Sequence, residues 1–253
     1  MTTSSITGQP AGNFDWDALT LDEGSHYNGE TDDCGNPLLC FMEALNASRG
    51  LGVTDTCPDD VSLTLHGFII NLNDALGTVD RQRLKPYRDR ISGTGGQPDA
   101  DERAAYMCVD WLIRTYTPAF LRLAGLGQHA DAFAGASEII DLATLDQVDD
   151  CISAADSVAR SSAYPLRSTV AGSAVRSVAD SAADSAAYWA ADSAAGSVAG
   201  DSATYSVAGS VAACSAAVCS AAGQDFAPTV AALQASAFGL LDRMIAAYTV
   251  AAV

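Results

Sequence analysis

Four side chains in the first quarter of the chain carry the clearest metal-binding chemistry: His26, Cys40, Glu43 and Cys57. One imidazole, two thiolates and a carboxylate make a donor set suited to zinc or iron. Cys40 and Glu43 are three residues apart in a segment whose apolar spacing predicts a first helix over 38–48, so both would project from one face of it. Cys57 falls in the next predicted loop and His26 in an irregular arm; Cys34 could substitute for a ligand. The spacing matches no established metal signature. The competing reading makes Cys40 a core thiol, with Glu43 capping the helix or pairing with Arg49.

A second candidate site is the basic cluster Arg81, Arg83 and Lys85, continued by Arg88 and Arg90 beside Ser92-Gly93-Thr94. It could bind an anion. Asp80 and Asp89 interrupt it, and docking on the protein's own acidic surface is the stronger expectation. The Gly-rich loop is not a P-loop, because no Gly-Lys-Ser/Thr follows. Asp74 reads as a cap or an acceptor for Arg81 or Arg83. Asp110 and Arg114, four residues apart, read as a fold-specifying pair. His66 is expected in the core or at its rim, and His129 at the surface. No nucleophile elbow, zincin or dinucleotide motif occurs. No catalytic residue is therefore assigned, and an enzyme is not the expected class.

The charge balance describes an environment. Lys and Arg total 13 and Asp and Glu 31, giving −18, with Lys85 the single lysine. Of the acidic residues 26 are Asp, whose short side chains hold water and cations close to the surface. Such a field repels nucleic-acid backbones. In molar salt its self-repulsion is screened within about 3 Å, so the composition reads as salt-adapted. Seven cysteines, an odd number, form no disulfide framework. Residues 1–13 lack the basic and apolar regions of a secretory signal. A cytoplasmic location is expected.

The elements that would position these residues are helical. Residues 1–37 read as an irregular arm with apolar hooks at Phe14, Trp16 and Leu19. A helical bundle head covers 38–152. Its second helix, 60–76, places Val61, Leu65, Phe68, Ile69, Leu72 and Leu76 on one face. A third is capped by Asp80 and runs to Arg90 with a kink at Pro86. A fourth spans 99–116, Thr117-Pro118 opens a fifth to about 123, and further helices cover 128–136 and 144–160. No period-2 strand pattern occurs in the first 160 residues.

From 153 to 224 the composition changes. Forty of the 71 residues in 153–223 are Ala or Ser, and Ser recurs every four or five positions in a Ser-x-Ala-x unit, an internal repeat. A four-residue step advances about 40° beyond one helical turn. Small residues therefore appear on every side, allowing close approach of neighbouring helices. Residues 202–224 carry no charge but lack Leu, Ile and Phe, so a buried helix is expected there rather than a membrane span. Residues 225–253 return to an amphipathic helix with Val230, Leu233, Phe238, Leu241, Ile245 and Tyr248 as its stripe. It packs on the bundle or on the repeat.

Together, Cys40-Phe41-Met42-Glu43-Ala44, Leu72-Asn73-Asp74-Ala75-Leu76, Leu84-Lys85-Pro86-Tyr87 with Gly93-Thr94, and the run from Asp110 to Pro118 resemble an uncharacterised family of proteins from high-GC bacteria and their phages. Those proteins join a helical head to an Ala-rich tetrad-repeat tail. The resemblance implies an architecture and no activity. This chain carries Ser, Val and Asp in tail slots where relatives tend to carry Arg and Trp. The expected function is a structural or interaction protein that self-associates or binds another protein through the repeat. The alternative is a metal-dependent enzyme or metal sensor using zinc or iron at His26, Cys40, Glu43 and Cys57.

Overall fold

The six apolar residues spaced from Val61 to Leu76 are almost inaccessible to water, and Leu65, Phe68, Ile69 and Leu72 form the buried face of a helix. The computed structural model describes residues 15–16, 18–26, 30–123, 127–147 and 227–250. Their helices are α1 (Phe41–Ser48), α2 (Leu63–Ala75), α3 (Thr78–Arg81), α4 (Pro98–Trp111), α5 (Thr117–Leu123), α6 (Gly127–Ala134), α7 (Leu142–Asp146) and α8 (Ala227–Val250). A 3-10 turn (Gln82–Tyr87) follows α3, and a π turn (Leu112–Tyr116) joins α4 to α5. No sheet occurs among the described residues; two isolated bridges pair Leu21 with Leu39 and Thr31 with Pro37. The fold is all-α.

Several helix boundaries differ from the periodicity. The first helix begins at Phe41 rather than Leu38, because Cys40 is its N-cap in extended conformation. Leu39 belongs instead to an extended stretch whose carbonyl accepts from Asp22 N–H at 2.8 Å. The second helix starts after its N-cap Ser62, whose side chain accepts from Leu65 N–H. The third is capped by Gly77, not Asp80, and gives way to the 3-10 turn around Pro86.

Thr117 opens α5, as Thr117-Pro118 predicts, but no loop precedes it. Instead α4 runs on through the π turn into α5, with Thr117 N–H reaching Leu112 O five residues back. A proline ring crowds the carbonyl four residues upstream, here Arg114, and the widened turn relieves that crowding. Among the described residues, the last helix before the repeat is α7. Asp141 caps α7 in a reciprocal box with Thr144, whose amide and hydroxyl hold its carboxyl below the usual range. The predicted continuation to 160 and the whole repeat, 153–224, lie outside the described residues.

Of the two packing partners expected for the C-terminal helix, α8 uses the bundle, lying across α4 and α2. Leu233, Phe238, Leu241, Ile245 and Tyr248 are buried there, each contributing about 1.5–3 kcal/mol by leaving water. Polar bonds fix the register. Trp111 Nε1 donates to Ser236 Oγ at 2.9 Å, Gln234 Nε2 to Ala75 O at 3.2 Å, and Arg103 Nη2 to Ala247 O at 3.2 Å. By length and composition α8 could cross a bilayer, yet its apolar stripe is buried in the head. The described residues on either side of 148–226 both pack in the head: Leu145 of α7 is buried, and so is the stripe of α8.

Candidate functional site

Three of the four candidate metal donors meet at the start of α1. Cys40 and Glu43 form a capping box: Glu43 N–H donates to Cys40 Sγ at 3.4 Å, and Cys40 N–H donates to Glu43 Oε2 at 2.8 Å. Glu43 also receives the arm. His26 N–H donates to Oε1 at 2.6 Å, and His26 Nδ1 lies 2.9 Å from Oε2. Two amides and the imidazole Nδ1 therefore converge on one carboxyl group that is 1% exposed, which gives a buried polar group the partners it needs. His26 Nε2 faces Asp22 Oδ2 at 3.7 Å. Burial pushes the Cys40 thiol up to about 12, and the Glu43 carboxylate adds to the shift. A metal-binding cysteine must lose its proton, and this environment favours keeping it.

Cys57 sits elsewhere in the bonding pattern. Its thiol faces the carbonyls of Val61 at 3.4 Å and Pro58 at 3.6 Å, in the loop before α2. Cys34 is exposed in a turn that Asp32 closes through the amides of Cys34 and Asn36. Among the described residues no group of three or more His, Cys, Asp and Glu side chains is arranged to hold a metal ion.

The basic cluster faces the protein itself. Arg81 is buried, with Nε donating to Asn73 O at 2.8 Å and Nη2 to Leu76 O at 2.6 Å. It thereby caps the carbonyl end of α2, where a cation also complements the helix dipole. The same guanidinium reaches Glu23 at 3.1 Å and Asp22 at 3.4 Å. Arg83 pairs with Asp80 and lies over the Phe238 ring at 4.1 Å. Arg88 lies over Trp16, and Arg90 pairs with Asp242. Lys85, half-buried on the 3-10 turn, is also engaged.

The side chains of Asn73 and Asp74 hold the arm rather than an arginine. Asn73 Nδ2 donates to Asp22 O at 2.8 Å, and Gly24 N–H donates to Asp74 Oδ1 at 2.9 Å. His66 is buried, with Nε2 2.6 Å from Asp55 O, and His129 is half-buried. Asp110 and Arg114 pair at 2.9 Å, and the same Asp110 oxygen accepts Ile139 N–H at 3.0 Å. The pair thus ties the α4–π junction to the stretch that leads into α7.

The sequence reading missed a buried oxygen cluster that joins the head to α8. Ser62 Oγ bonds Asp101 Oδ1 and lies 2.7 Å from Tyr248 OH, which donates to the same Asp101 oxygen at 2.7 Å. Burial, with the adjacent Asp101 carboxylate, pushes the Tyr248 phenol above its ordinary value. Nothing local marks these three residues, which lie 39 and 147 positions apart in sequence. The one available signal was Ser62 as a cap residue opening an apolar run.

No family model matches this chain, and no curated protein or solved structure matches it.

Proposed function

We propose that this is a salt-adapted, cytoplasmic structural or interaction protein without catalytic activity. Its helical head presents the Ala/Ser repeat for self-association or for a protein partner. One observation carries the reading: α8, on the far side of the repeat, is part of the head core, bonded to it through Ser236, Asp242 and Tyr248. In the chain, the repeat therefore lies between two elements of the head. The chemically capable side chains of the head support the same reading, because Cys40, Glu43 and Arg81 are bonded as helix caps. Small residues on every side of the repeat suit close helix association and offer little chemistry.

The test is the mass of the full chain by light scattering, over a range of concentration and salt, beside a variant carrying Ala179→Arg and Ala183→Arg in the repeat. The expected result is an assembly that the two arginines weaken. A strictly monomeric chain with a repeat freely cut by protease overturns self-association. Stoichiometric zinc or iron would revive the metal-dependent alternative.

A further inference from the structure

The arm ending at His26 lies on the head as a bound peptide lies on its receptor. From Leu21 to His26 its backbone is held by side chains of other elements and by the Leu39 carbonyl. Gln82 grips Leu21 from both sides: Leu21 N–H donates to Oε1 at 2.9 Å, and Nε2 donates to Leu21 O at 3.0 Å. Leu39 O accepts Asp22 N–H, and Asn73 Nδ2 donates to Asp22 O. Asp74 takes Gly24 N–H and Glu43 takes His26 N–H. Asn73 and Glu43 are almost fully buried, so these are built acceptors and donors aimed at a main chain. The apolar residues Trp16, Leu19 and Leu21 are buried, Trp16 against Phe41. Main-chain bonds for affinity and side-chain pockets for specificity are how proteins read extended peptides.

Residues 30–37 are exposed and form their own turn, closed by the Thr31–Pro37 bridge and by Asp32. An element held by non-covalent bonds and joined through an exposed turn can be replaced by the same element of another copy, with identical contacts.

We propose that the groove between α1, α2 and the 3-10 turn is a peptide-binding site, filled in cis by residues 15–26 and exchangeable for the same segment of a second copy. This link between copies does not use the repeat.

The test inserts a specific protease sequence after Asn28 of the full chain, and uses a labelled synthetic peptide of residues 15–26 as probe. After cleavage the N-terminal piece should stay bound, and excess probe should displace it saturably, whereas a scrambled peptide should not. Asn73→Ala with Gln82→Ala should weaken probe retention at least about tenfold. A piece that leaves with helix content unchanged, followed by no probe binding, overturns the groove. If cleavage unfolds the head, recovery of helix on adding probe supports the proposal and failure to recover overturns it.

Exchange between copies is read by native mass spectrometry of mixed isotope-labelled and unlabelled full chains. Mixed dimers that dissolve in excess probe are expected. Finding no mixed dimers overturns the exchange. Mixed dimers that persist in excess probe also overturn it, and assign the association to the repeat instead.

Discussion

His26 Nδ1 lies 2.9 Å from Glu43 Oε2, with the two side chains 7% and 1% exposed. The contact ties the arm to the first turn of α1 through a carboxylate that also caps that turn. Glu43→Ala would leave the His26 and Cys40 amides and the imidazole without their acceptor. It should cost about 1–3 kcal/mol, the range for leaving buried donors without an acceptor, as measured by urea unfolding. Glu43→Gln keeps acceptor capacity and should cost less than half as much.

The cysteines should differ in reactivity. Burial raises the thiols of Cys40 and Cys108, whereas Cys34 is exposed. At about pH 8 an alkylating reagent should modify Cys34 in the folded chain and spare Cys40 and Cys108 until denaturant is added. Peptide mapping by mass spectrometry reads the order. The Cys40 shift also sets a pH dependence. The folded thiol keeps its proton to about 12 whereas the unfolded one loses it near 9.0. Its contribution to stability is therefore full below about 9 and is lost as pH rises towards about 12. In Cys40→Ser, the part of the alkaline destabilisation due to this group should be absent.

Gly95 is where the loop before α4 touches the loop before α2. Its N–H donates to Asp60 O at 3.0 Å, and an added Cβ would lie 2.9 Å from the Asp60 carbonyl carbon and closer still to Asp59 O. Those neighbours are backbone and move only with the chain. Gly95→Ala should cost about 1–3 kcal/mol by overpacking. At Gly77 a Cβ meets nothing within 4 Å, so Gly77→Ala should lie within about 0.5 kcal/mol of the parent. Thermal unfolding of the two variants side by side checks this.

Tyr248→Phe tests the bond between α8 and the head. It removes the hydroxyl that bonds both Ser62 and Asp101 and leaves the ring in place. A loss of about 1–2 kcal/mol is expected. Hydrogen exchange should quicken at the α8 amides while those of α6 keep their rate. An unchanged α8 would show that apolar packing alone holds the helix.

Legibility followed the range of the interaction. The stripes of α2 and α8 were readable because their apolar side chains recur at helical spacing and are buried together, Leu65 with Ile69 and Leu241 with Ile245. The cap at Cys40 was not readable. Leu38 and Leu39 continue the apolar pattern, and cysteine is not among the preferred N-cap residues, so the spacing places the start of the helix three residues early. The pairing of His26 with Glu43, and the clasp of Asn73 on Asp22, bring together residues 17 and 51 positions apart. Periodicity contains no trace of such contacts. The α4–α5 continuity was hidden by Pro118, whose ordinary reading is a helix start; the π turn that accommodates it has no compositional mark.

Elemental analysis of the full chain, purified in high salt without chelators, tests most directly whether His26, Cys40 and Glu43 hold the chain together or hold a metal. The account predicts zinc and iron well below one per chain, with Glu43→Ala and Cys40→Ala lowering stability and leaving metal content unchanged. About one zinc or iron per chain, lost in both variants, would contradict it and make the head a metal site.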